Sequence, residues 1–208
     1  MLLKTVTLLT LFTLISCEYT KKKEVTLAGK PSVYFLIGDA SINGQPVSLG
    51  QEIFNGDLIE TGKESFLEVK FGKQSAFRVR EESQVTYNFD GSINLNIVKG
   101  KVLNILEKNS KYKVRTPTAV AAVRGTIFFV SVIDQDKSYF CACNGTISIE
   151  DDKQTELTNL SSAHHHSNFS ERTDDKLEMD HAGMMQHDDL EIFDFMYRLD
   201  NAVKKPAE

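Results

Sequence analysis

The chain has 208 residues, enough for one domain with a proper core plus an appendage. Its balance is mildly acidic, with 24 Lys and Arg against 29 Asp and Glu, and it has no basic block beyond Lys21 to Lys23. That argues against nucleic acid as a partner.

The N-terminus carries one basic residue, Lys4, then an apolar run from Leu8 to Ile15, then Ser16 and Cys17. This is the layout of a secretory signal, and it is short of the ~20 apolar residues that a spanning helix needs. Leu14-Ile15-Ser16-Cys17 resembles the bacterial lipobox, whose cysteine is diacylated and becomes the new N-terminus. Residues 1–16 are therefore expected to be a lipoprotein signal peptide, Cys17 the lipidation site, and residues 17–31 a lysine-rich tether. The expected location is the bacterial cell envelope, with the protein facing the periplasm or the exterior. Its membrane contact would be the lipid anchor, since each buried methylene contributes about 0.8 kcal/mol. No later segment approaches spanning length.

From Ser32 to Glu150 short alternating runs are broken by turn residues. Leu67, Val69 and Phe71 share one face; Phe77 and Val79 alternate with Arg78 and Arg80; Val85, Tyr87 and Phe89 are followed by Asp90-Gly91 and then Ile93, Leu95 and Ile97. Period two at roughly ten-residue spacing predicts an all-β domain, a sandwich or short solenoid of about ten to twelve strands. Asp90-Gly91 and Asn144-Gly145 suit type I′ hairpin turns, which need positive φ at both central residues. The stretch from Thr116 to Thr126 is small and apolar, as a close crossing of two strands requires. Arg124 within it would need a carboxylate or carbonyl partner if buried.

Phe54 to Gly62 (with Gly56 and Asp57), Val98-Lys99-Gly100-Lys101-Val102, and Thr116-Pro117 through Val123-Arg124-Gly125-Thr126 together resemble the FecR domain family. The resemblance covers residues 32–150, and Thr-Pro…Val-Arg-Gly-Thr is its most specific element. It implies a periplasmic all-β module of the kind found in regulators that relay an outer-membrane transporter's signal to a sigma factor. This sequence shows neither a cytoplasmic sigma-binding region nor a spanning helix. The resemblance therefore implies an envelope binding or scaffold role, with an envelope protein as partner, rather than the anti-sigma role.

Residues 151–188 are polar, rich in Asp, His, Ser and Met, and without strand periodicity; a His-rich extension is expected there. Residues 189–208 hold a C-terminal helix and tail. Ile192, Phe193, Met196, Leu199 and Val203 follow helical spacing, which predicts one amphipathic helix over 189–204, packed on the β domain or, as the alternative, free to bind a partner. Asp188 would cap it with Glu191 three residues on, and Lys204 and Lys205 would close the last turn.

All five histidines, His164, His165, His166, His181 and His187, lie between residues 164 and 187. If Cys17 carries lipid, two cysteines remain, Cys141 and Cys143, and on a strand residues i and i+2 face the same way. Thiolate and imidazole are the ligands that zinc and copper favour. The candidate ligands are Cys141, Cys143 and His187 with one or two of His164, His165 and His181. Asp180, Asp188 and Asp189 are candidates to orient the imidazoles. His187 just before the helix would be held neutral, the ligating form, by the positive helix end. Methionines 179, 184 and 185 lean weakly toward copper. Three readings stand side by side: a transition-metal site, buried structural cysteines beside solvated histidines, and a thiol redox pair. No nucleophile elbow, phosphate loop or helical His-Glu-x-x-His occurs, so the sequence makes no case for an enzyme.

Overall fold

The computed structural model describes residues 30–204 apart from Arg124, Gln154 and Asp175. The stretch expected to be a signal peptide, Cys17, Arg124 and Lys205 lie outside the described residues. Alternation of apolar and polar positions gives fifteen strands: β1 (Ser32–Ile37), β2 (Ala40–Ile42), β3 (Gln45–Pro46), β4 (Leu58–Thr61), β5 (Phe66–Phe71), β6 (Ser75–Val79), β7 (Gln84–Phe89), β8 (Ile93–Ile105), β9 (Tyr112–Arg115), β10 (Val120–Val123), β11 (Ile127–Val132), β12 (Lys137–Glu150), β13 (Glu156–Ser162), β14 (His166–Thr173) and β15 (Lys176–Ala182). One helix, α1 (Asp189–Lys204), ends the described chain.

The strands form two layers. One runs β1-β5-β6-β8-β11-β12-β14-β15. The other runs β3-β2-β4-β7-β8-β9-β10-β12-β13. The long strands β8 and β12 belong to both, each crossing from one layer to the other at a glycine, the bend that joins sheets at a corner. In β8 the glycine is Gly100, at φ +93°. A Cβ there would lie 2.4 Å from Ser83 Cα, so only glycine lets the two chains touch. In β12 it is Gly145, at φ +115°, against Thr126.

Two expectations about turns meet different ends. Asp90-Gly91 does join a hairpin, β7 to β8, but not as a type I′ turn: Phe89 pairs with Ile93 across three residues, only Gly91 has positive φ (+95°), and the Asp90 carboxylate accepts from Ser92. Asn144-Gly145 does not turn back. Thr126 Oγ1 hydrogen-bonds the Asn144 carbonyl, and the strand runs on into the second layer. The flexibility that suits Asn-Gly to a hairpin is used here for a change of sheet.

The polar segment 151–188 corrects the sequence reading more strongly, because it contains three strands and raises the count above twelve. β13 and β14 pair with β12, and β15 extends β14. At these edge positions little of either face is covered, so no apolar period is needed. Pairing to an existing strand decides the structure instead.

The main core lies between the layers, with Phe77, Leu95, Phe128, Val130, Phe140 and Ile147 among its members. On the other side of the first layer a second cluster joins Leu103, Phe129, Tyr139, Cys141 and Cys143 to Ile192, Phe195 and Leu199 of α1. The helix begins at the expected place, with the Asp188 carboxylate accepting the Glu191 N–H at 2.8 Å. Its orientation differs from the expected one: Phe193 is 63% exposed and Met196 39%, whereas Phe195 is buried. The cause is charge beneath the helix. Glu68, fully buried, accepts from Arg78 (2.7 Å) and Arg198 (2.9 Å), and Arg78 lies between the rings of Phe66 and Phe195. The face carrying Glu191, Asp194 and Arg198 must turn inward to meet these groups, which turns Phe193 outward.

Candidate metal centre

β12 brings Cys141 and Cys143 to the α1 side of the sheet, and β11 shapes the spacing between them. Ile127 pairs with Asn144 but Phe128 with Ala142, so Cys143 is an extra residue on its strand. A bulge of this kind re-aims a side chain. The Cys143 carbonyl then accepts the backbone N–H of His165 at 3.1 Å. His165 sits in the turn between β13 and β14 at φ +50°, a conformation uncommon for a residue with a Cβ. That turn places its ring over the two thiols. From the other end of the segment, His187 stacks on Phe129, with ring centroids 4.3 Å apart. Tyr139 fixes the approach to it, its hydroxyl donating to the Gly183 carbonyl and accepting from the Met185 N–H.

Four ligand atoms converge as a result. Cys141 Sγ is 3.5 Å from His165 Nδ1, Cys143 Sγ is 3.4 Å from His187 Nε2, and the two ring nitrogens are 3.3 Å apart. One atom from each of Cys141, Cys143, His165 and His187 lies within 4.8 Å of all the others, and three of the four residues are buried. Both cysteines are free thiols.

The far side of each ring settles which nitrogen is available. His187 Nδ1 is 2.8 Å from the Met185 carbonyl, which can only accept. His165 Nε2 is 3.0 Å from an Asp189 carboxylate oxygen, also an acceptor. Each imidazole therefore donates outward and, when neutral, turns its lone pair inward. With neutral rings, two lone pairs face each other across 3.3 Å beside two thiols, close enough together to hold a metal ion.

The charges agree. Cys141 is pushed down to about 4, first because the Cys143 thiol donates to it, against burial, and then because the ring nitrogens of His187 and His165 lie beside it. Cys143 is pushed up, by the neighbouring Cys141 and by burial. Of the two sulfurs Cys141 is the one favoured as thiolate, and a bound dication would favour thiolate at both. Burial works to lower His165, but the Asp189 and Cys141 contacts outweigh it and leave it raised. Asp189 is held below the usual carboxylate range by His165 and His164.

Of the histidines named from the sequence, His165 and His187 join the cysteines and the other two do not. His164 reaches the second oxygen of Asp189 at 3.0 Å and forms a separate group with His165 and Asp189. His181 faces Asn168 across β14 and β15 and lies near His166, outside the cluster. Of the three aspartates only Asp189 orients an imidazole; Asp188 caps α1, and Asp180 pairs along β15 opposite Phe169. Phe129, Tyr139 and the Met185 carbonyl escape the sequence reading because they meet His187 only through packing. The sole hint is the Phe128-Phe129 pair, apolar on both faces of a strand.

The residues singled out from the β domain build turns. Asp57 accepts the Phe54 N–H at 2.7 Å across Gly56 and also accepts from Asn43. Thr116 Oγ1 accepts the Ala119 N–H around Pro117, turning β9 into β10, and Gly125 packs against the backbone of Glu107 and Lys108.

A protein-family model described as FecR protein matches residues 57–148. Over that stretch the chain is similar to the FecR domain family. No curated protein matches it. FecR proteins are associated with the cell envelope, and among the described residues no helix is long and apolar enough to cross a membrane. The FecR match runs from the Gly56-Asp57 turn through both thiols and ends within β12. Cys141 and Cys143 thus lie inside the matched stretch, whereas His165 and His187 come from the segment that follows it.

Proposed function

We propose that this chain is a lipid-anchored protein of the bacterial envelope whose FecR domain and following segment together hold a transition metal, in a binding or scaffold role without catalysis. The anchor rests on Leu14-Ile15-Ser16-Cys17. The metal reading rests on one observation, three edge lengths of the ligand cluster, the other three lying within 4.8 Å. A tetrahedron with metal–sulfur distances of about 2.3 Å and metal–nitrogen of about 2.0 Å has S–N edges of about 3.5 Å and an N–N edge of about 3.3 Å. The cluster has S–N separations of 3.5 and 3.4 Å and an N–N separation of 3.3 Å. Tetrahedral S₂N₂ sites favour Zn²⁺ among common ions. Four protein ligands close the coordination shell, which suits a structural or sensing site and leaves no position for a substrate.

Elemental analysis of the chain purified in detergent under reducing conditions, after reconstitution with Zn²⁺ or Cu⁺, should find close to one metal per chain. The Cys141→Ser/Cys143→Ser double variant should lose it. A wild-type content below about 0.2 per chain, or an unchanged content in the double variant, would sink the reading. A thiol redox role predicts instead that the metal-free protein forms a Cys141–Cys143 disulfide, which thiol counting would detect.

A further inference from the structure

The metal ligands come from three pieces of chain that share no strand: β12, the turn before β14, and the segment leading into α1. His187 stands two residues before the helix. Asp189, the first residue of α1, accepts from His165 Nε2. Ile192, Phe195 and Leu199 pack in the same cluster as Cys141 and Cys143. We propose that occupancy of this site controls the docking of α1, so that the metal acts as a latch and Asp189 as the residue that couples it to the helix. This rests on the metal reading above.

The physical case has two parts. A helix of sixteen residues is marginal once it leaves its support, so undocking and unwinding of α1 are one event. The apolar grip is also narrow. Among the residues of α1 whose side chains are described, only Ile192, Phe195 and Leu199 are buried, while Leu190, Phe193 and Tyr197 are 77%, 63% and 71% exposed. The C-terminal half has its own ionic hold through Arg198 on Glu68. The N-terminal half has the ion pairs of Glu191 with Arg78 and Arg80 and of Asp194 with Arg78, and its first turn is further tied through the segment that His187 and Asp189 fix. With the metal gone, the two inward-facing imidazoles and the thiols have no shared partner. The 183–189 segment then keeps the Phe129 stack on His187, the two hydrogen bonds of the Tyr139 hydroxyl and the Arg80 bond to the Gln186 carbonyl, but it loosens together with the helix. The strands of the main core have no ligand among them apart from β12, so they stay folded.

Amide hydrogen exchange on the full chain in detergent, loaded with Zn²⁺ and after chelation, tests this. Metal removal should speed exchange across 187–202 by at least about tenfold, with β5, β6 and β8 unchanged. Asp189→Asn at saturating Zn²⁺ should still bind one metal but lose most of the metal-dependent protection of α1. If the wild type binds Zn²⁺ and α1 exchanges equally with and without it, the latch is overturned and the metal site stands. If all strands lose protection together, the metal is a global folding element and the latch is equally overturned. Full α1 protection in the zinc-loaded Asp189→Asn variant overturns the coupling role of Asp189. If no Zn²⁺ binds, the metal reading itself has failed.

Discussion

Each imidazole of the cluster is oriented by an acceptor outside it: the Met185 carbonyl for His187 and the Asp189 carboxylate for His165. His164 bonds Asp189 and packs edge-on against the His165 ring, with centroids 4.7 Å apart, but reaches neither thiol and its side chain is 72% exposed, so it belongs to the surroundings of the site rather than to the ligand set. This separates two neighbouring residues sharply. His165→Ala should release the metal or weaken binding beyond about 100-fold, because it removes a ligand and leaves an open position. His164→Ala should leave one metal per chain and change affinity by no more than about tenfold, the low end for an outer partner. Chelator competition measures both. Equal losses in the two variants would mean that the ligand set has been assigned wrongly.

At the scale of elements, the two sheet-crossing strands do the positioning. β8 bends at Gly100 and β12 at Gly145, and the bulge at Cys143 lies just before the second bend. The site is therefore built where β12 leaves one layer for the other. Gly100→Ala would force a Cβ to within 2.4 Å of Ser83 Cα in a left-handed backbone conformation. The variant should lose about 2–5 kcal/mol of stability, from strain and overpacking together, in denaturant unfolding. A loss under about 0.5 kcal/mol, the size of an ordinary surface substitution, would show that β8 does not need its bend.

At the scale of the molecule, a metal that binds the folded chain and not the unfolded one stabilises it by mass action. Free Zn²⁺ at a hundred times its dissociation constant should contribute about 2.7 kcal/mol. For a chain of this size that raises Tm by roughly 5–10 °C. The shift should vanish in the Cys141→Ser/Cys143→Ser variant, as differential scanning calorimetry would show. An equal rise in that variant would point to zinc binding elsewhere.

The all-β class, the hairpin at Asp90-Gly91, the same-face placement of Cys141 and Cys143 and the limits of α1 were legible in the sequence. Each depends on a local rule: alternation, turn chemistry, strand pleat or helix capping. What lay beyond it depends on partners distant in the chain. The Asn144-Gly145 dipeptide serves a sheet crossing because Thr126 lies beside it. Residues 156–182 become strands because β12 offers an edge. Phe193 faces outward because Glu68 and Arg78 wait beneath α1. Among five histidines, composition could mark the region but not choose the pair. His165 is selected by its backbone bond to Cys143 and His187 by stacking on Phe129, and both contacts exist only once the strands have paired.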